Sequence, residues 1–197
     1  MRRQQKGRSR SNGRNPAATR AALAEAARLA FLTDGYERTD TNRIARAAGF
    51  APQTFYRHFE DKRAVFLEVY RQWVAEGVGA VLKEPTPTAA ARRLIDEHTR
   101  MQLFRRTLRN LSAIDPEVQK VRAEQRSAQL ASLLAKHPAV ATQRIGELLA
   151  WLLSIERWVD ALVEGELKDF DLSRAEATKI LIRMIGRLFE PDVNGSL

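Results

Sequence analysis

Residues 42 to 62, NRIARAAGFAPQTFYRHFEDK, restrict the fold more than any other part of the sequence. Ile44 and Ala48 are four positions apart, so they share one face of a short helix, which Gly49 ends. Pro52 suits the first turn of a second helix, because the N–H that proline lacks would have no helical partner there. The segment is therefore predicted to form a helix-turn-helix, with Gly49 at the positive φ of the turn.

The second of these helices is predicted to have an apolar side and a polar side. Phe55 and Phe59 lie at positions i and i+4, so both rings can pack inward against a preceding helix. The remaining side chains can face a DNA major groove, where hydrogen-bonding groups contact base edges and phosphates. These outward-facing residues are Gln53, Thr54, Tyr56 and Arg57.

Apolar periodicity and capping residues predict an all-α chain, since no run of alternating β-branched residues indicates a strand. Besides the two short helices, the predicted helices run from Pro16 to Asp34, Lys62 to about Leu82, Thr88 to about Leu108, Asp115 to about Lys136, Pro138 to about Glu164, and from the capping box Ser173–Glu176 to about Phe189. Residues 1–15 hold six basic side chains and no acid, so they are predicted to be a disordered arm. Residues 16–60 form the helix-turn-helix domain, and residues 61–197 form a helical connector and C-terminal domain.

Composition excludes several classes of protein. The chain has no cysteine, which excludes disulfides, thiolate nucleophiles and zinc–cysteine sites. No apolar run approaches the roughly 18 to 20 residues of a membrane span, and the basic N-terminus is not followed by the apolar stretch of a secretory signal. Residues 1–83 carry 16 Lys and Arg against 8 Asp and Glu, whereas residues 84–197 carry 17 against 16. Positive charge concentrated in this way indicates a polyanion partner, or else a solubilising surface.

The run from Leu23 to Lys62 resembles the N-terminal domain of the tetracycline-repressor (TetR) family. The matching segments are AARLAFLTDGYERT, NRIARAAGF and TFYRHFEDK. The pair Tyr56 and Phe59, followed by Lys62, is the most diagnostic part, while Ala51 stands where the family often has a Ser or Thr cap. The resemblance implies an N-terminal DNA-binding domain joined by a connecting helix to a C-terminal domain that binds a ligand and dimerises.

The resemblance also assigns roles within the helix-turn-helix. Thr41 and Asn42 would face a phosphate or the edge of the groove. Gln53 and Thr54 would enter the major groove, where Gln can pair with adenine and Thr can contact a thymine methyl group.

Four further residues are expected at the DNA backbone. Tyr56 and His58 would bond phosphates, Arg57 would contact a base or the backbone, and Lys62 would hold a phosphate beside a helix N-terminus. Alternatives remain open from the residues alone: Tyr56 as a half-buried core aromatic, His58 as a structural residue, and Lys62 as a solvated lysine. The basic arm, likewise, either lies along DNA or is an uninvolved tail.

The C-terminal half is predicted to form a subunit interface. Leu148 to Val163 is apolar on nearly every face, so a helix there needs cover on all sides, either from a two-fold partner or within a monomeric bundle. The last helix offers a second wide apolar face. The predicted interface residues are Leu148, Leu152, Ile155, Val159, Leu162, Leu181, Met184, Ile185 and Leu188.

A ligand pocket is predicted among the connecting helices, with apolar lining and a few polar groups. The alternative for each of its residues is an ordinary core position. The predicted pocket residues are Trp73, His98, Arg100, Met101, Phe104, Leu108 and Trp151.

The expected function is that of a ligand-responsive transcriptional repressor that binds a palindromic operator as a homodimer and is released by an inducer. It is expected in the bacterial cytosol at the nucleoid, with no cofactor, metal or membrane partner. An activator or a low-specificity DNA binder of the same fold is the main alternative. A membrane-surface adaptor is another, and an enzyme is disfavoured because the three histidines are scattered and no catalytic motif appears.

Overall fold

The computed structural model of the protein describes residues 15–81, 83–136 and 145–187, and every regular element within those ranges is a helix. The all-α prediction is confirmed. The α-helices are α1 (Pro16–Thr33), α2 (Thr41–Ala47), α3 (Pro52–Tyr56), α4 (Lys62–Val81), α5 (Pro87–Arg100), α6 (Gln102–Ile114), α7 (Pro116–Lys136), α8 (Ile145–Glu164) and α9 (Arg174–Gly186), with a short 3₁₀ helix at Glu166–Phe170. The predicted arm at residues 1–14, the predicted helix start at Pro138 and the predicted helix end at Phe189 lie outside the described residues.

Local signals set the ends of the N-terminal helices. The Asn15 side chain accepts a hydrogen bond from the Ala17 N–H at 3.0 Å, and the Asp40 side chain accepts one from the Arg43 N–H at 2.8 Å. Gly49 has the predicted positive φ, at 78°. Ala51 makes no side-chain hydrogen bond to the start of α3, so that short helix depends on packing.

Three apolar clusters form the core of the described chain, and the smallest of them lies between α7 and α8. The first contains residues of α1, α2, α3, α4, α6 and α7, and it includes a 4.3 Å stack of the Phe66 and Phe104 rings. Phe31 of α1 meets Phe66 of α4 edge-on, with ring centroids 5.5 Å apart. The N-terminal head, formed by α1, α2 and α3, therefore shares one core with the connecting helices α4 and α6. The second cluster lies among α5, α8 and α9.

The sequence predicted one helix from Thr88 to Leu108, and this is wrong, because the chain turns at Met101 between α5 and α6. No glycine or proline marks the turn. Met101 is almost fully buried in the first cluster, together with Phe104, so packing imposes the bend on a sequence whose local pattern favours a continuous helix.

The predicted subunit interface also needs correction. The chain buries most of those side chains in its own core, because the most apolar stripe of α8 packs against α5 and α9. Leu152 and Met184 are half-buried, and Leu188 lies outside the described residues. The residues already covered within one chain are Leu148, Ile155, Val159, Leu162, Leu181 and Ile185.

A different side of α8 is exposed. Leu149 and Leu153 each keep 36% of their surface accessible, and Ala150 and Ser154 beside them are exposed too. At the start of α9 the predicted capping box is present, with Ser173 and Glu176 bonding each other's backbone N–H groups. No helix in the described ranges is long and apolar enough to cross a bilayer.

Candidate nucleic-acid interface and buried cavity

The two phenylalanines of α3 face inward, as predicted from their spacing. Phe55 is fully buried and Phe59 is 3% exposed, with ring centroids 5.6 Å apart. Ile44 and Ala45 of α2 are also fully buried in the same cluster. Because this side of α3 is fixed against α2 and α1, its polar side faces outward.

The outward side of α3 carries the residues that were predicted to contact DNA. Gln53, Tyr56 and Arg57 are exposed, and Thr54 is half-buried. Tyr56 is 57% exposed, so the alternative of a half-buried core aromatic is wrong. Its hydroxyl group lies 2.8 Å from Oγ1 of Thr41, which connects the last residue of α3 to the first residue of α2.

A concave surface lies between the N-terminal end of α1 and α3. It brings together three of the predicted DNA-contacting residues, Thr54, Arg57 and His58, with Pro16 and Thr19 of α1. Asn42, at the first turn of α2, is exposed. The groups on this surface are hydrogen-bond donors and acceptors of the kind that bind phosphates and base edges.

Arg20 supports this surface from behind, and sequence reasoning missed it. Its guanidinium donates to the His58 carbonyl and to Glu68 at 2.8 Å, and its centre lies 4.1 Å above the Phe59 ring. It therefore ties the turn after α3 to both α1 and α4. The sequence signal for this role is that Arg20 lies three positions before Leu23, so a cation occupies the otherwise apolar stripe of α1.

Lys62 has a structural role at the start of α4. Its ammonium donates to the Tyr36 carbonyl at 2.9 Å and lies 4.0 Å from the centroid of the Tyr36 ring, so the plain solvated reading is wrong. Asp61 caps the same helix end by accepting from the Ala64 N–H at 2.7 Å. An ammonium has three donors, so Lys62 can hold Tyr36 and still bind a phosphate.

A cavity of about 130 Å³ is lined by residues of α4, α5, α6, α7, α8 and α9. Trp73, His98 and Trp151 line it, as predicted. The other predicted pocket residues do not. Arg100 has an exposed side chain 2.6 Å from Glu97 and does not line the cavity. The bend at Met101 turns Met101, Phe104 and Leu108 into the first cluster.

Asp160 of α8 is the centre of a buried ionic network that sequence reasoning did not find. Only 4% of the residue is exposed, and its carboxylate accepts from His98 Nδ1 at 3.0 Å and from Arg105 Nε at 2.7 Å. Arg109 binds Asp160 at 2.5 Å and also Glu164. Burial alone would raise the pKa of Asp160, but the hydrogen bonds from His98 and Arg105 outweigh it and hold that pKa below its usual range.

The same network keeps His98 neutral. Burial, together with the nearby Arg105 charge, lowers the pKa of His98 to about 4, although Asp160 acts in the opposite direction. A neutral imidazole that donates from Nδ1 to Asp160 has Nε2 left as an acceptor. No sequence motif predicts this arrangement, because its members come from α5, α6 and α8. No group of three or more potential metal ligands occurs within the described ranges.

Comparison with known proteins places these features in a family. Residues 23–69 match the family model described as "Bacterial regulatory proteins, tetR family". No curated protein is similar enough in sequence to serve as a relative. The matched segment contains α2, α3 and the inward-facing phenylalanines.

Solved structures share the fold over nearly the whole chain. A TetR-family transcriptional regulator from Rhodococcus sp. is 16% identical, with 87% of this chain and 98% of that chain covered at a TM-score of 0.63. One from Mesorhizobium loti is 20% identical, with 89% and 96% covered at 0.62. GusR of Salmonella enterica is 16% identical, with 90% and 98% covered at 0.63.

The fold and the exposed side of α3 define a helix-turn-helix DNA-binding protein. The matched head and the shared fold confirm the family expected from the sequence. Residues 23–69 carry the DNA-binding domain of the TetR family, and the chain shares the fold of solved TetR-family transcriptional regulators.

Proposed function

We propose that this regulator is a repressor that binds a palindromic operator as a homodimer and is released when a small molecule occupies the cavity. The observation that carries the proposal is the course of α4. Its Glu68 binds Arg20, which also donates to the His58 carbonyl at the proposed DNA-binding surface. Trp73, Val74 and Gly77 of the same helix line the cavity. One continuous helix thus connects the two regions.

The DNA contacts follow from the exposed side of the head. Gln53 and Thr54 read bases in the major groove, and Tyr56 and His58 bond phosphates. Thr41, Asn42, Arg57 and Lys62 complete the contacts at the groove edge and backbone. Two observations support these contacts. Gln53 is exposed, and the hydrogen bond to Thr41 orients the exposed Tyr56 side chain, which we propose contacts the DNA backbone.

The dimer is formed by the outer sides of α8 and α9. Leu149 and Leu153 supply exposed apolar area, and a shallow groove between the two helices is lined by Ala150, Ser154 and Met184 among others. Acidic and basic side chains, Glu147, Arg183 and Arg187, lie around the same groove. A two-fold axis can pair an acidic residue of one chain with a basic residue of the other across such a surface, which suits self-association.

Ligand response follows from the shared packing of cavity and head. Arg105 lines the cavity from α6, and the preceding residue, Phe104, stacks on Phe66 in the core that holds α1 and α4. A ligand that binds better to one tilt of α4 and α6 than to another favours that tilt. The tilt in turn sets the distance between the two α3 helices of the dimer. The shift in operator affinity cannot exceed the ligand's differential affinity for the two states.

The proposal is tested with the full chain and a library of random DNA duplexes. We expect selection to yield a palindrome with half-sites about one helical turn apart, bound by two chains. Equal affinity for the selected site and for random duplex at fixed salt would instead indicate a low-specificity DNA binder. Transcription from a promoter carrying the selected site distinguishes repression from activation.

Ligand release is tested by titrating candidate molecules onto the protein–operator complex. Gly77→Leu is the cavity-blocking variant, because a Cβ at Gly77 would lie 3.7 Å from Trp73 Nε1 and a longer side chain would extend from there into the cavity. Gly77→Ala is the matched control, since that contact is of ordinary van der Waals length. We expect Gly77→Leu to bind operator normally and to ignore any ligand that releases the native protein.

A further inference from the structure

Two of the residues that line the cavity each carry a buried polar atom without a hydrogen bond. Among the described residues, three buried side-chain nitrogen or oxygen atoms lack a partner, and two of them, Trp73 Nε1 and Gln129 Oε1, belong to residues that line this cavity. A buried polar atom without a partner destabilises the folded state. Because both residues line one cavity, we expect a ligand there to supply both bonds.

The ionised groups at the cavity wall, by contrast, already have partners. Glu97 binds Arg100 at 2.6 Å, and Glu156 binds Arg126 at 2.9 Å. Arg105 is paired with Asp160 at 2.7 Å. A charged ligand would lose its hydration in this cavity without gaining a free counter-charge, which is unfavourable.

Size and lining restrict the ligand further. The volume of about 130 Å³ is close to that of an engineered apolar cavity of roughly 150 Å³ that binds benzene. Most of the lining is aliphatic or aromatic, including Leu94, Leu133, Ile155 and the rings of Trp73 and Trp151. The apolar interior of the cavity therefore has room for about one ring.

We infer that the effector is a compact neutral molecule of about one ring that carries a hydroxyl group, as a phenol does. The hydroxyl oxygen accepts from Trp73 Nε1–H, and the hydroxyl hydrogen is donated to Gln129 Oε1. Indole can only donate, so the acceptor on the ligand is obligatory, whereas the Gln129 amide can turn and offer either group. This inference rests on the proposed ligand response and specifies the chemistry of its site.

Four probes of similar size test the inference by calorimetry on the full chain: phenol, toluene, benzoate and benzylammonium. We expect phenol to bind about tenfold more tightly than toluene, as one to two net hydrogen bonds allow. Benzoate and benzylammonium should bind at least about tenfold more weakly than phenol. Tighter binding of either ion, equal binding of phenol and toluene, or no binding of any probe would overturn the inference.

Variants locate the two bonds. Trp73→Phe and Gln129→Met should each reduce the preference for phenol over toluene, and Gln129→Met should also raise the Tm because it removes an unpartnered buried oxygen. Trp151→Phe is the matched control. Its Nε1 donates to the Met184 carbonyl at 3.0 Å, so this variant should weaken phenol and toluene equally. An unchanged preference in both Trp73→Phe and Gln129→Met excludes these two atoms as the binding groups.

Operator binding is measured separately with the same probes. Phenol that binds with the expected preference but leaves operator affinity unchanged supports the ligand chemistry and contradicts the proposed inducer response. Release of operator by a charged molecule that binds the cavity supports the inducer response and contradicts the ligand chemistry.

Discussion

Individual side chains of the head divide into those that hold α3 and those that reach outward. Phe55 and Phe59 take no part in binding, yet they fix which side of α3 is exposed. Tyr56 shows that an aromatic residue can lie between them in sequence and still point to solvent, because a helix turns about 100° per residue. The role of each side chain is thus set by its angular position.

Gln53 is expected to read one base pair. Gln53→Ala should reduce discrimination at a single operator position by about 1 to 3 kcal/mol and leave affinity for random duplex unchanged. The measurement compares the selected operator, its single-base variants and random duplex at fixed salt. Gln119→Ala, which removes an equally exposed amide on α7, is the control. An equal loss of specific and random affinity would contradict base reading by Gln53.

Lys62 is expected to bind a phosphate in addition to Tyr36. Lys62→Ala should weaken binding to every duplex and reduce the slope of log K against log salt by about one unit. Lys120→Ala, at an exposed position of α7, should leave the slope unchanged. A native slope in Lys62→Ala would mean that the lysine serves only the Tyr36 contacts.

At the scale of elements, the bend between α5 and α6 decides what the connecting helices do. It sends Phe104 toward the head while His98 and Arg105 meet Asp160 on α8. The ionic network therefore fastens α5 and α6 to α8 beside the cavity. Three side chains, from α5 and α6, bind this one buried carboxylate. The stability of the packing should therefore respond to pH.

The sign of that response follows from His98. Its pKa is about 4 in the folded chain, against an ordinary value of 6.5 for an unfolded chain, so the unfolded state takes up a proton that the folded state refuses between these values. Folding stability should consequently fall as the pH is lowered through that window, by about 2 kcal/mol between pH 7 and pH 5 from this residue alone.

Urea unfolding at pH 7 and pH 5 measures this contribution. His98→Gln, which can still donate to Asp160, should lose most of the pH dependence in this range. His58→Gln, on the half-buried outer side of the head, should retain the native dependence. A native pH dependence in His98→Gln would show that other groups account for the effect.

At the scale of the whole molecule, one core runs from the head into the connecting helices, and a second holds α5, α8 and α9 together. Most of the predicted interface stripe belongs to the second core, so the proposed dimer uses what α8 and α9 still expose. The exposed side has a modest apolar area and carries both acidic and basic side chains. Its composition is that of an ordinary polar interface, not that of a predominantly hydrophobic one.

The double variant Leu149→Glu, Leu153→Glu is expected to produce monomers. It places four like charges across a two-fold interface, two from each chain, and removes the exposed apolar contacts. Light scattering after gel filtration gives the mass, and operator affinity should fall because a monomer contacts one half-site. Leu103→Glu on α6 changes an equally exposed leucine and should remain dimeric. A dimeric double variant would place the interface elsewhere.

The amino-acid sequence by itself determined the local features of this protein. Helix ends at Asp40, Gly49 and Ser173, and the inward Phe55–Phe59 pair, depend on neighbours within a few residues, and each was predictable from spacing and capping chemistry. The family resemblance had the same source, because its motif is contained in the local pattern of the head.

Only the tertiary structure decided which apolar face of α8 is covered, where α5 ends, and which charges meet at Asp160. Each depends on residues far apart in the chain, as in the bond from Arg105 to Asp160, and periodicity carries no information about such pairs. The physical reason is that an apolar stripe determines how much surface a helix must bury. The packing of the other helices determines which residues cover that surface.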